Sequence, residues 1–244
     1  MRLAILSDVH SNLEALEAVE RAVAAERPDR VFCLGDVVGY VASPAACCAR
    51  IRALAAVTLL GNHDAAACGR MDYRYYYGAA REALDWTARQ LPEAELAWLR
   101  SLPYAHREPE VGFSHGSPAC PPDYAYVLAA EHARELAPLF GQLPPVTFVG
   151  HSHLCKVFGL DAAGGVVQDL GMRVDLDPAR RYVVSVGSVG QPRDYDPRAC
   201  FVTYDTDRRL VEYHRVTYDI ETAARKIYDA GLALNFGRRL FLGV

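Results

Sequence analysis

No Cys-x-x-Cys pair occurs in the chain, although it holds seven cysteines, at 33, 47, 48, 68, 120, 155 and 200. Cys33 and Cys200 lie inside apolar runs, where a free cysteine packs as a small hydrophobe. The adjacent Cys47 and Cys48 read more readily as helix and core packing than as a redox pair. An odd number of such residues fits a reducing, cytoplasmic setting. Positive charge is not in excess: the net charge is −4, which argues against a general attraction to nucleic acid, so no stable nucleic-acid complex is expected. No apolar run approaches membrane-spanning length, and Leu3–Leu6 is too short for the core of a signal peptide. No membrane partner is expected. Repeats, low-complexity tracts and linkers are also missing, so residues 1–244 read as a single domain with an ordinary globular composition of 51% apolar and 23% charged residues.

What the chain does contain is one design used five times. Leu3-Ala-Ile-Leu runs into Asp8 and His10, and Val31-Phe-Cys-Leu into Gly35-Asp36. Val57-Thr-Leu-Leu runs into Gly61-Asn62-His63-Asp64, Val111-Gly-Phe-Ser into His115, and Val146-Thr-Phe-Val into Gly150-His151-Ser152-His153. Such runs read as buried strands, and open α/β sheets gather reactive groups beyond the carboxyl ends of their strands. Asp8 and His10, spaced i, i+2, would share one face of extended backbone and grip one ion there. Alone, an Asp-x-His pair is as well explained by an ion pair or a turn.

Carboxylate (Asp8, Asp36), amide (Asn62) and imidazole (His10, His115, His151, His153) donors together are too many for one transition ion and suit two. The economical partition puts Asp8, His10 and His153 on one ion and Asn62, His115 and His151 on the other, with Asp36 as the bridge. This donor set favours divalent transition metals, manganese foremost, with iron, cobalt, nickel or zinc as alternatives. Paired ions lower the pKa of bridging water and clamp the oxygens of an in-line displacement, so a phosphate ester is the expected substrate and a metal-bridging hydroxide the expected nucleophile. His63, next to a ligand, is the candidate general acid. Asp64 either supports His63 or caps a helix.

Along the chain, Ser11-Asn-Leu-Glu14 has the form of a capping box opening a helix that ends before Pro28. A helix from about Pro44 to Leu54 completes a βαβαβ beginning with strands 31–34 and 57–60. Residues 66–106 read as a helical insertion, with one helix through Trp86, a second from Pro92 to Arg100, and a tyrosine cluster at 73, 75, 76 and 77. Further on, the pattern predicts a helix over 129–139, strands at 155–160, 165–170, 181–186, 199–205 and 209–216 joined by hairpins, and helices near 219–230 and after Gly231.

The ordered set Asp8-Val-His10, Gly35-Asp36, Gly61-Asn62-His63-Asp64, His115 and Gly150-His151-Ser152-His153 resembles the motif series of calcineurin-like metallophosphoesterases. The resemblance implies an α/β fold, a four-layer αββα sandwich of two mixed β-sheets flanked by helices, and a dinuclear metal site with the partition above. Asp8-Val-His-Ser-Asn12, Gly35-Asp-Val-Val-Gly-Tyr40, His115-Gly-Ser-Pro118 and Gly187-Ser-Val-Gly-Gln-Pro-Arg-Asp194 are similar to a compact bacterial and archaeal branch. That branch includes phosphodiesterases, phosphatases and enzymes resembling diadenosine tetraphosphate hydrolases. Where many relatives carry Asn-Pro-Gly-Ser, this chain has Ser185-Val-Gly-Ser188.

The resulting expectation is a metal-dependent phosphodiesterase with some phosphatase activity on a small phosphate-ester or nucleotide substrate. A diadenosine polyphosphate hydrolase is the alternative, and a non-catalytic binding protein of the same fold is a third reading. Nothing in the sequence selects an oligomeric state. Candidate substrate contacts are Asn12, Tyr40 and Arg193. For these, plain capping, a surface loop position and an ion pair with Asp194 or Asp196 are the respective structural alternatives. Lys156 and Arg173 are further cations that a phosphate would attract.

Overall fold

Every residue of the first strand, β1 (Arg2–Leu6), is buried except its first, so the strand lies between two layers instead of facing water. A computed structural model describes residues 1–244. Helix α1 (Leu13–Glu26) returns the chain to β2 (Arg30–Cys33), and α2 (Pro44–Leu54) returns it to β3 (Val57–Thr58). The three strands are parallel, as crossover connections require. Three helices follow, α3 (Asn62–Ala67), α4 (Gly78–Gln90) and α5 (Glu93–Ser101).

The chain then builds a second sheet from β4 (Ala105–Arg107), β5 (Val111–Ser114), β6 (Val146–Val149), β7 (Cys155–Leu160) and β8 (Val166–Asp169). After β9 (Arg173–Asp175), β10 (Arg181–Val186) inserts between β6 and β7, parallel to β6 and antiparallel to β7. The hairpin of β11 (Ala199–Asp205) and β12 (Leu210–Val216) then completes the first sheet. The six-stranded sheets have the orders β3-β2-β1-β11-β12-β9 and β4-β5-β6-β10-β7-β8.

Ile5, Phe32, Phe113, Phe148, Val184 and Val202 fill the space between the sheets. Phe32 and Phe113 stack across it with ring centroids 4.2 Å apart, and burying each such side chain contributes about 1.5–3 kcal/mol. Leu16, Val19 and Ile51, from α1 and α2, cover the outer face of the first sheet. A short helix, α6 (Ala130–Arg134), covers part of the second sheet's outer face through Ala133 against Phe158 and Val183. The layers are α, β, β, α. Helices α7 (Ile220–Asp229) and α8 (Leu234–Leu242) pack against α4 and the loop carrying Tyr40 and Val41.

Several sequence expectations need correction. The helix expected over 129–139 is α6 followed by a separate 3-10 turn at Ala137–Leu139, because Pro138 lacks the amide and disfavours helical backbone at Ala137. Helix α1 is capped by Asn12, whose side chain accepts from Ala15 N, and not by a Ser11 capping box. Ser11 instead accepts from Gly39 N. The region 66–106 carries α4 and α5 only after a non-helical stretch over 68–77, and it ends in an edge strand of the second sheet, β4. β4 and β9 escape a sequence reading because each is only 3 residues long and lies at a sheet edge.

Candidate functional site

The carboxyl ends of β1, β2, β3, β5 and β6 bring the expected ligands together, but not by strand alternation. β1 ends at Leu6, and both Asp8 (φ +56°) and His10 (φ +48°) lie beyond it in left-handed backbone. Asp36 (φ +52°), His151 (φ +63°) and His153 (φ +60°) adopt the same region. Non-glycine residues rarely do so, and such strain persists only where surrounding structure over-determines it. Here the backbone amides of Asp8 and His10 donate to Gly35 O and Asp36 O. Gly190 N and Ser188 Oγ both donate to Asp8 O, the latter at 2.8 Å. Tight loops locked to each other replace the extended geometry expected for the Asp8–His10 pair.

Three of the imidazoles are fixed from behind. His10, His115 and His153 place Nδ1 against the carbonyl oxygens of Val38, Leu34 and Gln191. When Nδ1 donates, Nε2 of a neutral ring carries a lone pair into the site, the usual arrangement behind a metal-ligating histidine. His10 Nε2 then faces His153 Nε2 at 3.1 Å, with Asp8 Oδ1 3.3 Å from His153 Nε2. Asp8 Oδ1 is buried and has no hydrogen-bond partner. Two lone pairs and a carboxylate oxygen converging in a buried interior repel one another, and a cation among them removes the conflict.

The second set is built the same way. His115 Nε2 lies 3.1 Å from Asn62 Oδ1, and the Asn62 amide nitrogen donates to Tyr76 Oη at 2.7 Å. That hydrogen bond orients the amide so that its oxygen points inward. Asp36 Oδ1 accepts from His63 N at 2.8 Å. Its other oxygen lies 3.6 Å from His10 Nε2 and 3.3 Å from His115 Nε2, between the two sets. The ligand atoms of Asp8, His10 and His153, and those of Asp36, His115 and His151, each fall within 4.8 Å of one another. These donors fit a pair of divalent ions.

The low pKa values of the two carboxylates and of His151 agree with that fit. Burial works against the Asp36 and Asp8 carboxylates, yet the surrounding imidazoles hold both well below the ordinary range. Burial likewise opposes a charged His115, but the Asp36 carboxylate beside it lifts its pKa to about 9. Burial, aided by the charge of His115, drives His151 down to about 3.

His63 sits against this cluster. Its ring is edge-on to His10 at 4.9 Å and tilted against Tyr40 at 4.4 Å, and its Nδ1 is buried without a partner. With His10 and Asp36 it also forms a third close group of donors. Burial lowers its pKa to about 4, with the charge of Asp36 opposing. Gly39 (φ +102°) makes room for the ring, since a Cβ there would lie 2.5 Å from His63 Nδ1. Asp64 does not support His63. Its carboxylate accepts from Val38 N at 3.0 Å and Gly61 N at 3.1 Å, closing α3 onto the Asp36 loop.

The three candidate substrate contacts separate. Asn12 is fully buried and its amide is engaged at both ends, by Ala15 N and by Gly190 O, so it caps and braces. Tyr40 is buried, flanked by His10, His63 and Phe236, and packs the acid candidate in place. Arg193 makes no ion pair with its neighbours: Asp194 binds Arg215, and Asp196 binds Arg198 at 2.6 Å. The Arg193 side chain donates to Gln191 Oε1 at 2.9 Å and keeps its buried Nε unpartnered. Lys156 is spent on Leu128 O and Arg173 on Glu212.

Residues outside the expected set also build the site. Tyr76 holds Asn62, Gln191 holds His153, and Tyr126 stacks on His151 at 3.9 Å with an interplanar angle of 14°. The tyrosine cluster was a visible signal for Tyr76; isolated Tyr126 offered none.

The sequence model of the calcineurin-like phosphoesterase superfamily domain matches residues 1–209. The uncharacterized protein MJ0912 of Methanocaldococcus jannaschii is 38% identical, over 99% of this chain and 98% of its own. The crystal structure of a metallophosphoesterase from Sphaerobacter thermophilus superposes with a TM-score of 0.86 at 37% identity, covering 100% of this chain and 99% of that one. A symmetrical bis(5′-nucleosyl)-tetraphosphatase of Chromohalobacter salexigens is 32% identical over 138 residues, which is 54% of this chain and 48% of that protein. Paired donor sets at the mouths of parallel strands, this sandwich and these relatives lead to one assignment: the chain belongs to the calcineurin-like phosphoesterase superfamily and is a phosphoester hydrolase.

Proposed function

We propose that the protein is a dinuclear-metal phosphodiesterase with some phosphomonoesterase activity, acting on a small phosphate-ester or nucleotide substrate. The observation that carries this reading is the position of Asp36 Oδ2, between His10 Nε2 and His115 Nε2 at 3.6 and 3.3 Å. Asp8, His10 and His153 would hold one ion and Asn62, His115 and His151 the other, with Asp36 shared. Imidazole donors suit iron, nickel, cobalt or zinc and the carboxylate and amide oxygens suit manganese, which is the ion proposed first. Bound in pairs, such ions activate water and clamp the oxygens of an in-line displacement at phosphorus.

The chain's own residues supply the rest. Arg193, free of carboxylates and with Nε unpartnered, receives a phosphate oxygen. His63 protonates the departing alkoxide. The negative charge of an arriving phosphate ester favours the protonated form of the His63 imidazole. The free thiols suit a reducing compartment, and a cytoplasmic location belongs to the same proposal. The tetraphosphatase relative motivates a second reading, hydrolysis of dinucleoside polyphosphates.

The deciding experiment strips the protein of metal, restores manganese, iron, nickel, zinc or magnesium, and assays bis(4-nitrophenyl) phosphate, 4-nitrophenyl phosphate, 2′,3′-cyclic nucleotides and diadenosine tetraphosphate. Diester turnover restored by a transition metal is the expected result. Preference for diadenosine tetraphosphate would favour the second reading. Full metal loading without turnover on any of these would overturn both.

A further inference from the structure

Beside the donor cluster lies a cavity of about 390 Å³, and six of its ten lining residues are tyrosines. Asn62, His63 and His151 also line it, so it opens directly onto the second donor set and the acid candidate. No arginine or lysine contributes to the lining, and Asp123 adds a carboxylate. The nearby guanidinium of Arg193, 5.8 Å from the centre of the Tyr40 ring, can meet one phosphate but leaves the further charges of a phosphate chain unmatched. A flat uncharged ring finds aromatic faces instead.

Tyr126 offers the clearest one. One face of its ring is covered by His151, yet the residue remains 44% exposed. Tyr75, 74% exposed, stands edge-on to Tyr76 at 4.9 Å on the same cavity. Side chains this exposed contribute little to the core, so their concentration at the mouth of a buried polar cluster calls for a ligand. Because His63 lines the same space, the group held there is the one that departs.

We infer that this cavity is the leaving-group subsite, and that the substrate's departing alcohol carries a flat, uncharged aromatic ring, as a nucleoside does, stacked on Tyr126. This rests on the hydrolase reading above and adds to it the chemistry of the departing group. In the reaction the P–O bond to that alcohol breaks and the oxygen of water forms the new P–O bond. The alkoxide takes the proton of His63, and the proton lost by water restores His63.

Adenosine tests the subsite without turnover, because it holds no phosphate ester. Its binding to the metal-loaded protein is measured by calorimetry, with ribose as the ring-free control. Adenosine binds and ribose does not; Tyr126→Ala weakens adenosine by about 5- to 150-fold, the span of one base–aromatic stack, while Tyr126→Phe keeps it. Metal content of each variant is measured alongside, since Tyr126 touches His151. Tyr75→Ala, at an exposed position that does not endanger folding, also weakens adenosine. Equal adenosine affinity in wild type, Tyr126→Ala and Tyr75→Ala, or no adenosine binding while bis(4-nitrophenyl) phosphate is hydrolysed, overturns the subsite and leaves the hydrolase reading intact. Tyrosine-dependent adenosine binding without turnover of any ester overturns the hydrolase reading and supports the ring site alone.

Discussion

The floor and the wall of the site are built on opposite principles. On the floor, Asp8, His10 and Asp36 are almost wholly buried, in left-handed backbone, and their loops are tied by amide-to-carbonyl hydrogen bonds between neighbouring strand ends. The wall consists of tyrosine side chains on the segments after β2, after α3 and before α6, several of them facing solvent. A floor made of backbone constraints cannot shift one donor without moving the others, which suits a fixed ligand geometry. A wall made of exposed rings can change with little effect on the fold. On the proposed function, reaction type resides in the floor and substrate choice in the wall.

The largest break is expected at Gly61→Ala. A Cβ there would lie 2.1 Å from Asp36 Oδ1 and 2.2 Å from Asp36 N, so the shared carboxylate must move. Metal analysis should show loss of bound ions and of turnover, and denaturant titration a stability cost of about 1–3 kcal/mol for overpacking. His63→Ala comes next, with metal retained and turnover reduced by about 10²–10⁴, most for poor leaving groups. Loss of metal in that variant would instead make His63 a ligand.

Tyr76→Phe probes the joint between wall and floor. Removing its hydroxyl leaves the Asn62 amide without its anchor, and metal affinity should fall by about 10- to 100-fold in a chelator competition. If affinity is unchanged, wall and floor are independent. A pH series sharpens the floor's electrostatics. Without metal, His115 holds its proton up to a pKa of about 9, and metal must displace that proton. Metal affinity should then rise about tenfold per pH unit between pH 6 and 8, with proton release visible by calorimetry in buffers of different ionisation enthalpy. The smallest effect is expected from Arg193→Lys, which keeps charge but loses the planar fork: KM rises by about tenfold with metal content unchanged.

The floor's candidate donors were legible because each follows a short apolar run closed within a few residues by a turn, a pattern set by burial of parallel strands. Asp8, His10, Asp36, Asn62, His115, His151 and His153 all converge where that pattern puts them. Less was legible of their support. Asn12 was weighed as a phosphate contact and serves as cap and brace, because its partner Gly190 lies 178 residues away. Asp64 was weighed as a support for His63 and instead holds the backbone of Val38 and Gly61. The ion-pair alternative for Arg193 vanished when Arg215, on β12, claimed Asp194.

Residue types and spacings along the chain determined the buried parallel strands and the candidate donors, since hydrophobic periodicity and donor identity are local properties, and the resemblance of that ordered motif set implied the sandwich and the class of chemistry. Tertiary structure alone decided the left-handed loops, the anchoring of Asn62 by Tyr76 and the tyrosine cavity beside His63. Those depend on which distant segments meet, and the free energy of such contacts is written in no single stretch of sequence.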